Sequence, residues 1–125
     1  MLFVAGALFT ACGDSNEINV GYKTTMKVQS VYDAGKVAKG EVINAKFVVE
    51  NTGDSPLILG SVNGSCSCTV ADWTKDPIAP GDKGSITAKV HTENFSIGEN
   101  TRSITVVSNT VPNTTKIVVK TEIIQ

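Results

Sequence analysis

The sequence predicts an all-β domain built as two packed sheets, and three features carry that prediction. Residues branched at Cβ dominate, with 16 Val, 10 Ile and 14 Thr among 125 residues. Such side chains lose χ1 freedom in a helix but pack well on a pleated surface. Apolar and polar residues alternate with a period of two through Glu41 to Glu50 and again through Gly84 to Thr92, as a strand with one buried face requires. Clusters of Gly, Pro, Asn and Asp separate these runs at the spacing typical of a sandwich.

Met1 to Ala11 (MLFVAGALFTA) is uncharged and apolar, in the length range of a signal-peptide core and too short to span a bilayer, which needs about 20 residues. Thr10 and Ala11 stand directly before Cys12. This arrangement resembles the bacterial lipobox, which implies removal of residues 1–11 and lipid on Cys12. Phe9 departs from the Leu or Val usual at its position. The alternative is a hydrophobic N-terminal strand with a buried cysteine. Residues 12–21, polar from Gly13 onward and without strong periodicity, read as a flexible tether. The domain is expected over residues 22–125.

Met26, Val28 and Val31 mark a first strand, with Tyr32-Asp33-Ala34-Gly35 as the turn after it. Lys39-Gly40 leads into Glu41 to Glu50, where Ile43, Ala45, Phe47 and Val49 share one face. Asn51 to Pro56 is a dense turn signal, followed by a strand from Leu57 to Val62. Asn63-Gly64 has the form of a two-residue hairpin turn that would fold the cysteine segment back on that strand. Asp76-Pro77 and Pro80-Gly81-Asp82 punctuate the next connection. Gly84 to Thr92 then points Ile86, Ala88 and Val90 inward. Arg102 to Ser108 and Lys116 to Ile124 complete the set, separated by a turn containing Asn109 and Pro112-Asn113.

About seven antiparallel strands in roughly 100 residues is the content of an immunoglobulin-like sandwich. Its expected core is Ile43, Phe47, Val49, Leu57, Trp73, Ile86, Val90, Ile104 and Val106. Cys66 and Cys68 both precede Trp73, so the inter-sheet disulfide of antibody domains is not expected.

With 11 Lys and Arg against 12 Asp and Glu, no net field gathers phosphates, which argues against nucleic acid as a partner. His91 is the sole histidine and falls on the outward parity of its strand, leaving one exposed base for any Ser–His or Cys–His arrangement. Asp72 and Asp76 flank Trp73 but lack the acidic spacing of a calcium loop. No catalytic residue and no cofactor is expected.

Several motifs converge on one family: Val31 to Val37 (VYDAGKV), Phe47, Asn51 to Leu57 (NTGDSPL), Ser65 to Thr69 (SCSCT), Ile78 to Gly81 (IAPG) and Val107-Ser108-Asn109. Together they resemble the bacterial family called domain of unknown function 1573, over about Tyr32 to Ile123. Ser67 stands where that family usually has Gly between the cysteines. The resemblance implies an exported immunoglobulin-like sandwich common in Bacteroidetes-type bacteria, and brings no established activity with it.

Cys66 and Cys68 are the remaining candidates for chemistry. Two thiols one residue apart in an exported protein can form a disulfide, hold a soft metal such as Cu(I), or rest as small buried side chains. A bridge closing three residues contributes only about 1.6 kcal/mol in the chain-entropy account, so it is a poor fold staple. On a regular strand the two Cα atoms would lie about 6.6–6.8 Å apart, at the far edge of disulfide geometry, so bridging requires a local turn. The expected function is a non-enzymatic envelope lipoprotein, held to a membrane by its N-terminal lipid and binding another envelope protein. The alternative is a copper-binding or thiol-redox module centred on Cys66 and Cys68.

Overall fold

The computed structural model describes residues 21–125. The expected signal segment, Cys12 as the expected lipidation site and all of the expected tether but Gly21 lie outside the described residues. Eight strands form two four-stranded sheets: β1 (Met26–Val28), β2 (Val31–Ala38), β3 (Val42–Asn51), β4 (Leu59–Gly64), β5 (Thr69–Trp73), β6 (Lys83–His91), β7 (Gly98–Ser108) and β8 (Thr114–Ile124). One sheet has the order β1-β3-β6-β5 and the other β2-β8-β7-β4. Among the described residues there is no helix.

The alternation in β3 buries Ile43, Ala45, Phe47 and Val49, and its register sets them opposite Val90, Ala88, Ile86 and Gly84 of β6. Ile104, Val106, Ile117, Val119 and Ile123 supply the facing layer from β7 and β8. Leu57, Ile78 and Phe95 close the core from the loops. Of the nine residues expected in the core, eight are buried, while Trp73 lies half-buried at its margin. Its position follows from its edge strand: the indole Nε1 donates to the carbonyl of Leu59 across the gap between the sheets, at 3.2 Å.

Four expectations are corrected. The strand count is eight because the first run divides, β1 pairing with β3 in one sheet and β2 with β8 in the other. Nor is the sandwich wholly antiparallel, since β2 runs parallel to β8. The Tyr32 to Gly35 segment is not a turn. It continues β2 through a bulge, where one extra residue slips the register between Asp33 and Lys36. Gly35 takes a φ of 71° there, a conformation that costs glycine little, and the Thr121 hydroxyl donates to its carbonyl at 3.0 Å.

Asn63-Gly64 makes no hairpin turn. Both residues belong to β4, and the chain then crosses to the other sheet, because β4 pairs with β7 while β5 pairs with β6. Gly64 is needed for space: a Cβ on it would stand 2.6 Å from Cβ of Thr69.

Two asparagines inside turn-like motifs prove to be interior ties, both fully buried. Asn51 Oδ1 accepts from the Gly53 N–H and the Thr24 hydroxyl, and its Nδ2 donates to the carbonyls of Ser55 and Ile78. Asn109 Oδ1 accepts from the Ile58 N–H, and its Nδ2 donates to the Pro56 carbonyl. A loop buried this way must have its backbone groups satisfied from within, and these two side chains do so at one end of the sandwich. The chain enters at the same end, with Thr24 N–H donating to Asn109 O.

Candidate functional site

The loops divide between two ends. Tyr22 O accepts from Asn109 Nδ2, and Thr24 bonds to both Asn109 and Asn51, which in turn bonds to Asp82; these residues define the proximal end. At the far ends of β3, β4 and β6 lie Lys39-Gly40, the Ser65 to Cys68 turn and the Thr92 to Ile97 connection. Along β6 the two ends are about 27 Å apart at the rise of an antiparallel strand.

The cysteine turn is built by backbone bonds on three sides. Ser65 N–H donates to Ser103 O of β7 at 2.9 Å, Thr69 N–H closes the turn on Cys66 O at 3.3 Å, and His91 N–H donates to Cys68 O at 2.8 Å. The turn draws the Cα atoms of Cys66 and Cys68 to 5.2 Å, with the sulfurs within bonding distance. That separation lies inside the range a disulfide needs, as a regular strand's would not. Both cysteines are half-buried, and Ser67 between them is exposed.

Thr69 lies beneath this turn and was not singled out by sequence reasoning. It is 9% exposed, and its hydroxyl stands 3.9 Å from the sulfur of Cys66 and 3.7 Å from that of Cys68. The room for it comes from Gly64. Its place directly after the second cysteine of the SCSCT segment was the available signal.

Of the other candidates, His91 adjoins the turn through its N–H bond to Cys68 O, whereas Asp72 bonds elsewhere. Asp72 and Lys75 form an exposed ion pair at 2.9 Å, and Lys75 Nζ also sits 4.2 Å from the centroid of the Trp73 ring. The hydrogen bond from Lys75, with the Trp73 N–H and the lysine charge behind it, holds the Asp72 carboxyl below the usual carboxylate range. His91 sits half-buried on β6, and Asp76 is exposed in the next loop. Among the described residues no group of three or more His, Cys, Asp or Glu side chains stands together as metal ligands. A groove of about 320 Å³ beside the β2 bulge is lined by Asp33, Lys36, Glu99, Lys120 and Glu122, charges of both signs rather than an apolar anchor.

Fold and topology together define an immunoglobulin-like sandwich of two four-stranded sheets. The chain belongs to the family described as Protein of unknown function (DUF1573), whose model matches residues 25–123. A protein of unknown function from Porphyromonas gingivalis W83 shares this fold with a TM-score of 0.70 and 23% identity, over 80% of this chain and 47% of that one. The chain thus spans about half the length of that relative. The ASH / PapD-like domain of human CEP192 aligns with a TM-score of 0.61 and 10% identity, over 93% of this chain and 99% of that one. The Vibrio cholerae VesB protease aligns with a TM-score of 0.61 and 12% identity, over 80% of this chain and 32% of that one. At these identities the likeness is one of fold. No curated protein matches the chain.

Proposed function

We propose that the protein is a non-enzymatic lipoprotein of a bacterial envelope, tethered through lipid on Cys12, whose sandwich is an assembly module for another envelope protein. The observation that carries this reading is the division of the loops. The chain enters at the proximal end, so a tether running back to Cys12 leaves the distal loops facing away from the anchor. Those loops include exposed Ser67, Asn94 and Ile97, the last 53% exposed. Family membership supports the reading to the extent that the resemblance implies export. Two acyl chains on Cys12 give stable anchoring without a membrane-spanning helix, at about 0.8 kcal/mol per buried CH₂.

The test is photo-crosslinking in intact cells, with a crosslinking residue placed at Ser67 or Asn94 on the distal end, or at Asp54 or Asn113 on the proximal end. The proposal expects one discrete protein adduct from the distal positions, lost when Cys12→Ser removes the anchor. Equal adducts from both ends, or adducts indifferent to Cys12→Ser, would contradict it.

A further inference from the structure

The proposed assembly role leaves the cysteine turn unused, yet the turn has the parts of a reactive site. We propose that Cys66 and Cys68 form a thiol–disulfide exchange site, with Thr69 as its positioning residue.

Four observations support this assignment. The pair is accessible, since both cysteines are half-buried on a distal turn. It does little for the fold, because a bridge across three residues removes little chain entropy and the turn is already fixed by the bonds of Ser65, Thr69 and His91. The same backbone bonds frame the turn in which the two Cα atoms lie 5.2 Å apart, so the backbone itself brings the cysteines within closing range. Finally, the Thr69 hydroxyl has the two sulfurs as its hydrogen-bond partners among the described residues. A hydroxyl donating to sulfur favours the thiolate, which is both the attacking and the leaving species in exchange.

The reaction partner is a dithiol, either a protein with paired cysteines or two small thiols. One partner thiolate attacks a sulfur of the pair. The Cys66–Cys68 bond breaks as a mixed disulfide forms, and the displaced cysteine leaves as a thiolate, which Thr69 stabilises. The partner's second thiolate then attacks the mixed disulfide and departs as the partner's own disulfide. Two electrons pass to this chain, and two protons complete both thiols. Run in reverse, the step reduces a partner disulfide and re-forms the Cys66–Cys68 bond.

The full chain is equilibrated in glutathione buffers of varied reduced-to-oxidised ratio, quenched with an alkylating reagent, and read by mass spectrometry on the peptide carrying both cysteines. The expected result is reversible conversion of both cysteines together while the chain stays folded. Thr69→Val should slow exchange, by roughly threefold for each tenfold loss of thiolate once the offsetting gain in nucleophilicity is counted, and move the pH profile of alkylation upward. Thr69→Ser should restore both. Cys68→Ser should accumulate a glutathione adduct on Cys66. A pair that reacts only after unfolding, or that stays reduced in excess oxidised glutathione, would overturn the proposal. An unchanged pH profile in a folded Thr69→Val variant would overturn the role of Thr69.

Discussion

The Asn51 side-chain amide donates to the carbonyl oxygen of Ile78 at 2.8 Å, tying the corner after β3 to the loop that precedes β6. Three further bonds use the rest of the carboxamide. Replacing it leaves several buried partners unpaired, at about 1–3 kcal/mol for each that water cannot reach. Asn51→Ala is expected to lower stability by about 3 kcal/mol in urea unfolding. Asn51→Asp should do no better, because an oxygen would then face two carbonyls. A loss below about 1 kcal/mol would contradict this account of the corner.

Phe47 is fully buried and its ring stands 6.1 Å from that of Tyr32, bridging β3 and β2 across the two sheets. Phe47→Ala should cost about 3–5 kcal/mol. The neighbouring Val48 faces solvent, so Val48→Ala should be close to neutral. Reversal of that order in denaturant unfolding would mean the register of β3 is off by one residue.

Gly64→Ala places a methyl 2.6 Å from Cβ of Thr69, an approach that neither backbone relieves without moving. The expected loss is about 1–3 kcal/mol, with chemical-shift changes centred on Ser65 to Thr69. Gly40 has open space around it but a φ of 97°, so Gly40→Ala should destabilise through backbone strain while leaving the cysteine turn unshifted. Equal disturbance of the turn by both variants would contradict the packing role of Gly64.

Asp72 should titrate below the usual carboxylate range, because the Lys75 hydrogen bond favours its charged form. A lowered folded-state value means that whatever the pair contributes is present above the unfolded-state value and is lost as pH falls through the folded one. Lys75→Met should raise the carboxyl midpoint in an NMR titration. An unmoved midpoint would show that Lys75 is not the cause.

The core was legible because period-two alternation in β3 and β6 names its own buried face: Ile43, Phe47, Ile86 and Val90 could be read directly. Asn51 and Asn109 were not legible as interior residues. Asn in a Gly- and Pro-rich stretch reads as solvent-facing, and the partners that reverse this, Thr24, Ile58 and Ile78, are set by long-range topology. The same holds for the division of the first run into β1 and β2, since nothing local to Gln29-Ser30 announces a change of sheet. At the candidate site, the need for a turn between Cys66 and Cys68 followed from strand geometry. Thr69 and Gly64 did not, because their roles exist only once β4 and β5 lie in different sheets.

The central claim, a sandwich held to an envelope membrane by lipid on Cys12, is tested most directly by mass spectrometry of the protein extracted from its native membranes. The account predicts a chain that begins at Cys12, lacks residues 1–11 and carries acyl mass on that cysteine. A membrane-extracted chain retaining Met1, with Cys12 unmodified, would contradict it.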